Sequence, residues 1–599
     1  MNFGQNTQSI AQAAQFLVHG DFTSAERIVE TVLAQTADAE ALHLLGLVRI
    51  QQKRLDEAVT LLAQSIAARP RQPDVLYNFG RALSLLEQHG YAAAAFSDAV
   101  RFQPDFAEAW HELGNAQRVL RQLADAETSY HNVLRLAPGH GPARLGLGAI
   151  LIDANRAAEA EIVLARGVAE ARDTNLAIDL AQNLAAAQLK LGKKDAALES
   201  YVQIQHLDPS RTDFDAHRVN ILEELGRFDE ALALMEAMLA REPDNAVIHN
   251  YYNDMLYRLG REGEFLGSYD RAPMSAQLQL DKAVFLVARE RIAEAHAVYA
   301  GVLAREPGNQ DAASGTAATL GRLGRHDEAA RLYEQALARD PDNAGLQIGL
   351  ATLALRAGDP ERAAALAEQA LGVNPLDQYI LAILGSAWRM MGDERDETLN
   401  GYDSLIRTFD LEPPEGFSSM VDFNAELGTW LDRQHPPTRE YTAQSLRGGT
   451  QTKNIFSAGY ALVDRLQLRI TETMNRYIAD LGADESHPFL SRRRNSFAYS
   501  GSWSSRLRDC GFHVNHVHPM GWISSCYYVA VPNVVADVNA KQGWIKFGEP
   551  HFEIGLGIRR AIQPAPGRLV LFPSYMWHGT LPFHSEAARI TIAFDAVPC

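Results

Sequence analysis

Residues 107–138, AEAWHELGNAQRVLRQLADAETSYHNVLRLAP, hold two helical patterns and a terminator. Trp110, Leu113 and Gly114 fall on one helical face, Ala126, Tyr130 and Val133 on a second, and Pro138 follows. The same offsets return as Ala58, Leu62, Ser65 and Pro70, as Ala231, Met235, Met238 and Pro243, and as Ala329, Tyr333, Ala336 and Pro341. The period is about 34 residues, giving about eleven or twelve units from roughly Ser9 to Met391. Small residues stand where two helices cross closely, larger ones fill the groove beside them, and proline ends each unit. One such pair cannot bury its apolar face alone, so the units are expected to stack into an α-solenoid with a concave surface. Units near Asp179–Gln203 and Tyr252–Pro273 fit the pattern less well.

This pattern resembles the tetratricopeptide repeat, which implies a groove that binds a protein or peptide; a spacer or an oligomerisation element is the plainer alternative. The charge is placed unevenly around it. The net charge is −18, yet residues 440–599 carry 16 Lys and Arg against 12 Asp and Glu, leaving the first 439 residues with 40 against 62. An acidic array repels nucleic acid, and no nucleic-acid motif is present; the mildly basic end suits an anionic ligand. No apolar run approaches 18 residues, so no membrane span is expected, and the N-terminal stretch lacks a secretory pattern. Three dispersed cysteines without CxxC spacing point to a reducing, cytoplasmic setting.

After Asp393 the period fades. Pro413-Pro414 and Pro436-Pro437 bracket an expected helix, Met420–Arg433, with Phe423, Leu427 and Leu431 on one face. A second helix, about Ala458–Leu481, carries Leu462, Leu466, Ile470 and Tyr477. From Asn495 onward short β-type runs alternate with turn residues: SFAYSGSW, FHVNHVH, WISSCYYVAV, GWIKFGEP, GRLVLFPSYMWHG and RITIAFDAV. Their spacing predicts a small antiparallel barrel or sandwich. The whole is therefore expected to be a multidomain α + β chain, with repeats over 1–395, a connector over 396–440 and a β domain over 441–599.

His516 and His518 share one face if FHVNHVH is a strand, with His513 offset, and two such imidazoles suit a first-row metal. His578 follows a later strand, and Arg589 opens RITIAF eleven residues on. A guanidinium at the end of a metal pocket suits the distal carboxylate of a dicarboxylate, with Thr591 on the same face.

Over about Phe423–Cys599 this constellation resembles the Fe(II)/2-oxoglutarate-dependent dioxygenases, most nearly a bacterial subgroup fused to tetratricopeptide repeats. The residues carrying the resemblance are QSLRGGTQT, the HxHP-GWISS-YYV run and LVLFPSxxxHG. It implies a double-stranded β-helix (jelly-roll) with flanking helices, and a hydroxylase acting on a protein or peptide recruited by the repeats. It implies Fe(II) on His516 and His578, and 2-oxoglutarate, used with O2, on Arg589 with Thr591 and Tyr528. The family at large has His-x-Asp or His-x-Glu where His518 stands here. His518 completes a three-histidine set, or Glu549 replaces it, or His518 lies behind the ligands; His513 is expected behind them or at the surface. Arg447, Gly448 and Gly449 form a polar loop able to cradle an anion, and with Trp522 they are candidates for the substrate side. The basic run Arg492–Arg494 reads as a solvated edge or, failing that, as a clamp for an acidic substrate. Two other readings stay open: a non-enzymatic scaffold whose last domain senses a metal or small acid, and a three-histidine oxygenase that does not use 2-oxoglutarate.

Overall fold

A computed structural model describes residues 3–442 and 444–599. The chain divides into two compact units, Met1–Ala231 and Leu232–Cys599.

The first unit is built from paired antiparallel helices. In the opening stretch these are Ala107–Val119 and Leu123–Leu136. Ala109, Leu113, Ala116, Ala126, Tyr130 and Val133 are all buried between them and their neighbours. Gly114 is what lets the pair close: a Cβ there would lie 2.9 Å from the Tyr130 ring. The same contact recurs at an offset of 16 residues, between Gly46 and Leu62, Gly80 and Phe96, and Gly148 and Leu164. The Tyr130 hydroxyl donates to Asn115 Oδ1 at 2.8 Å, so the buried phenol is satisfied. The turn between paired helices needs one residue with positive φ. Gly192 fills this place at 70°, whereas Lys53, Glu87, Arg121 and Asn155 adopt about 60° without glycine's freedom.

The second unit continues with paired helices. The weaker repeat around Tyr252–Pro273 owes its pattern to a second helix of only five residues, Gly267–Arg271. Arg291 and Arg325, the residues just before later second helices, pair with Glu294 and Glu328 three residues on, through two bonds each of 2.6–2.7 Å. These pairs are exposed and contribute little to stability. The last long repeat helix is Gln378–Met391.

Beyond it, among the described residues, stand nine strands: β1 Arg407–Asp410, β2 Leu446–Gln451, β3 Phe497–His513, β4 Ile523–Ala530, β5 Ile545–Phe547, β6 Arg560–Ile562, β7 Arg568–Pro573, β8 His578–Thr580 and β9 Arg589–Pro598. They form an antiparallel six-stranded sheet, β1-β7-β4-β9-β3-β2, and an antiparallel three-stranded sheet, β6-β5-β8. The expected helices appear as Met420–Gln434 and Ala461–Asp480. They bury Phe423, Leu427 and Leu431, and Leu462, Leu466, Ile470 and Tyr477, in one core with Tyr527, Ile592 and Phe594 of the large sheet. The chain is thus a multidomain α + β protein, a helical repeat array followed by antiparallel sheets.

One expectation is corrected. FHVNHVH is not a strand, because β3 ends at His513 and His516 makes only an isolated antiparallel bridge with His578. Their backbones exchange two hydrogen bonds, of 2.8 and 3.0 Å. That bridge, rather than strand alternation, brings the two imidazoles together.

The helix Gln378–Met391 also holds the site in place. Val517, between two of the histidines, and Trp577, beside the third, share a core with Ile380, Ile383, Leu384 and Ala387. The Trp577 indole donates to Ala382 O and Ser386 Oγ, and Arg389 donates to Gly548 O and Gly557 O at 2.6 and 2.7 Å.

Candidate metal and anion site

His516, His518 and His578 each present a ring nitrogen within 4.8 Å of the others. Each ring is fixed by its other nitrogen. His516 Nδ1 lies 2.8 Å from Val514 O, His578 Nδ1 2.9 Å from Met576 O, and His518 Nδ1 2.7 Å from Asp595 Oδ2. Carbonyl and carboxylate oxygens only accept, so these contacts place a proton on each Nδ1 and turn each Nε2 inward. His516 Nε2 and His518 Nε2 then stand 3.1 Å apart. Two facing lone pairs at that separation repel unless a proton or a metal cation sits between them. Burial lowers the pKa of His516 to about 3 and that of His578 well below the ordinary value, with the neighbouring imidazoles adding to it. Both are therefore neutral at physiological pH, the form that ligates metals.

These histidines line a cavity together with Trp503, Ser505, Ser525, Cys526, Phe572, Arg589 and Thr591. Arg589, the first residue of β9, is 1% exposed. Its Nε and Nη2 have no hydrogen-bond partner, nor do the Tyr528 hydroxyl and Ser505 Oγ. A buried guanidinium with idle donors is costly unless an anion arrives. Alternation along β9 sends Thr591 and Ala593 to the same cavity. Tyr528 does not line it but stands behind, with the Arg589 guanidinium carbon 5.1 Å from its ring centre.

Other candidates fall elsewhere. Trp522 is 0% exposed and its indole donates to Phe489 O at 2.9 Å, which makes it core rather than substrate surface. Arg447, Gly448 and Gly449 lie outside the cavity, on edge strand β2, where the register slips between Arg447 and Gly449. Arg447 is spent on its own chain, donating to Gln444 O and Leu446 O. Gly449 is required there because a Cβ would meet Arg506 O at 2.3 Å. Glu549 stands outside the histidine cluster: it pairs with Lys546 and accepts from Asn515 at 3.1 Å. His513 is half-buried in the cavity wall, with Nδ1 3.2 Å from Ser445 Oγ.

Ser445, Trp503 and Asp595 escaped the sequence reading. Gln444, Ser445, Gln451, Trp503, Met520 and Asp595 line an outer opening that also reaches His516 and His518. Alternation from Arg589 through Thr591 and Ala593 does point to Asp595.

Residues 501–595 match the family described as "Putative 2OG-Fe(II) oxygenase". Residues 120–184 and 322–386 match one tetratricopeptide repeat model, and 10–73, 183–246, 217–278 and 280–344 match another. The chain thus joins tetratricopeptide repeats to a C-terminal segment that matches the putative 2OG-Fe(II) oxygenase family. This repeat–oxygenase fusion is similar over 139 residues to human protein O-mannosyl-transferase TMTC1, at 26% identity, covering 22% of this chain and 16% of that one. It is 29% identical over 259 residues to cellulose synthase operon protein C of Pseudomonas fluorescens, covering 40% of this chain and 20% of that one. The chain thus spans about a fifth or less of these curated relatives. Among solved structures, Naa15/Naa10 bound to HypK-THB is similar at 15% identity and TM-score 0.34, covering 72% of this chain and 73% of that one. A Pseudomonas aeruginosa pilF structure is similar at 16% identity and TM-score 0.32, covering 36% of this chain and 97% of that one.

Proposed function

We propose that the C-terminal domain is an Fe(II)/2-oxoglutarate-dependent dioxygenase that hydroxylates a protein or peptide presented by the repeats. The observation that carries this reading is Arg589, buried with idle donors in the same cavity as three inward-facing imidazoles. The two-sheet frame fits the double-stranded β-helix expected of such a domain.

The residues present fit the group. His516, His518 and His578 would hold Fe(II) through Nε2, leaving coordination positions open for a chelating 2-oxo acid and O2. The bound iron, with 2-oxoglutarate and O2, supplies oxidative decarboxylation to succinate and CO2 and transfer of one oxygen atom to a substrate C–H bond. Arg589 binds the distal carboxylate with its planar fork, and the hydroxyls of Thr591 and Ser505 add donors. Tyr528 keeps the guanidinium in place from behind. Phe572 and Ile545 keep water from the inner cavity, and the outer opening at Trp503 and Met520 admits the substrate.

Modules at 1–395, 396–440 and 441–599 are proposed for recruitment, connection and chemistry. Among the described residues no helix is long and apolar enough to cross a membrane; a reducing, cytoplasmic setting is proposed from the three dispersed cysteines.

The test is succinate release from 2-oxoglutarate in air with added Fe(II). Wild type should release succinate, His578→Ala should abolish it by removing a metal ligand, and Arg589→Ala should lose at least about a hundredfold, the cost of removing one partner of a buried charge pair. Wild type without turnover, or Arg589→Ala turning over like wild type, would contradict the reading. A second reading, a three-histidine oxygenase independent of 2-oxoglutarate, rests on the absence of a carboxylate from the ligand set. It predicts oxygen uptake unaffected by Arg589→Ala.

A further inference from the structure

The three histidines differ in one respect. His516 and His578 rest on neutral backbone carbonyls, whereas His518 rests on a carboxylate, Asp595, at 2.7 Å. Asp595 is fixed in turn. Its Oδ1 accepts from Ser524 Oγ at 2.7 Å, Ser524 Oγ lies 2.9 Å from Ser574 Oγ, and Ser574 O accepts the His518 backbone N–H at 2.9 Å. Side chain and backbone of His518 thus belong to one closed circuit of hydrogen bonds through Asp595, Ser524 and Ser574. Ser524 and Ser574 are 0% exposed, so water does not compete on the serine side of the circuit. Trp503 stacks on the ring at 5.6 Å between centres and 23° between planes, limiting its tilt.

We infer that Asp595 is a positioning residue for the metal centre, supplying through His518 the negative charge that a ligand carboxylate would otherwise bring. The inference rests on the proposed three-histidine metal site. Asp595 is not itself a ligand: its oxygen meets His518 at Nδ1, while the nitrogen facing His516 is Nε2, across the ring. A carboxylate on Nδ1–H fixes the tautomer, holds the ring plane and makes Nε2 a stronger donor. The three neutral imidazoles would otherwise leave the full charge of a divalent cation uncompensated. Asp595 stands six residues beyond Arg589 on the same face of β9, so one strand would serve both the anion and the metal.

The test uses the full chain, stripped of metal and titrated with Co(II), comparing wild type, Asp595→Asn, Asp595→Glu, Ser524→Ala and His578→Ala. Asp595→Asn keeps the shape and removes the charge. It should weaken Co(II) binding about 10–100-fold, the usual cost of losing an outer partner of a metal-bound histidine. The visible Co(II) bands should keep their pattern at saturation, since the ligand set is unchanged. In the iron-loaded protein, Asp595→Asn should raise the Fe(III)/Fe(II) midpoint potential, because less negative charge then stabilises the ferric form. Asp595→Glu should restore part of both, which a merely structural role would not produce. Ser524→Ala retains the charge and should weaken binding by less than Asp595→Asn; if Asp595→Asn does not fold, an unchanged affinity and potential in Ser524→Ala and Asp595→Glu overturns the inference. Asp595→Asn binding Co(II) within threefold of wild type, with an unshifted potential, overturns it too and leaves the metal site standing. Wild type binding no more Co(II) than His578→Ala overturns the metal site itself, and the inference with it.

Discussion

Two histidines outside the cavity report on the native state through pH. His435 lies between Thr450 Oγ1 at 3.0 Å and Ser504 Oγ at 3.1 Å, and His551 packs 5.2 Å from the Trp577 ring. Burial holds the pKa of each down to about 4, with nearby arginines adding to it. In the unfolded chain a histidine titrates near 6.5. Above that value neither state gains a proton, and the full stability is present. Between about 6.5 and 4 the unfolded chain is protonated and the native one is not, so stability falls with pH at up to about 1.4 kcal/mol per unit for each group. Denaturant midpoints measured from pH 7.5 to 5 should drop, and His435→Asn with His551→Asn should flatten the curve; an equal slope in the double variant would contradict the assignment. At this scale the sequence spoke unevenly. His578 and Arg589 line one cavity, a placement the order and spacing of the β-type runs made legible. Trp522 was misread because an aromatic beside a glycine looks alike on a surface and in a core, and only the partner at Phe489 O, 33 residues away, distinguishes them.

Elements follow the sequence wherever their cause is local. The paired helices are legible because Gly114 and Tyr130 repeat their meeting every 34 residues, as do the positive-φ turns at Lys53, Glu87, Arg121 and Asn155. The turns carry a prediction. Arg121 holds φ at 60°, which costs a side-chain-bearing residue on the order of 1 kcal/mol, whereas glycine pays no steric penalty. Arg121→Gly should raise the melting temperature of the repeats by a degree or more, despite glycine's larger unfolded entropy. A fall in melting temperature would show that the Arg121–Asp153 contact at 3.4 Å outweighs the strain. The segment 514–518 was not legible, since its backbone is held by hydrogen bonds to Ser445, Ser574 and His578, all more than 50 residues away in sequence. β3 runs unbroken for 17 residues, through a register shift between Tyr499 and Gly501, although its glycine and serines read as a break.

For the whole molecule, the repeat–oxygenase order was legible from the change of period, but the packing of the last repeats was not. Trp577 and Val517, next to the three histidines, bury themselves against Gln378–Met391. A fragment of residues 396–599 would expose Val517, Phe552 and Trp577, each worth about 1.5–3 kcal/mol of burial. It should fail to bind Fe(II), whereas a fragment of residues 232–599, the second compact unit, should bind it. Equal iron binding by both fragments, measured by equilibrium dialysis under anaerobic conditions, would show that the repeat helix does not support the ligands. The longer fragment is also the right control for recruitment: it lacks the first unit while keeping the cavity intact, so it should turn over a protein substrate less efficiently than the full chain. Whether one cavity takes iron and 2-oxoglutarate together is read from the visible absorption of the full chain with Fe(II), before and after anaerobic addition of 2-oxoglutarate. A charge-transfer band that grows to one equivalent in wild type and is lost in Arg589→Ala is the predicted result. Iron binding without a band in wild type, or an unchanged band in Arg589→Ala, would contradict it.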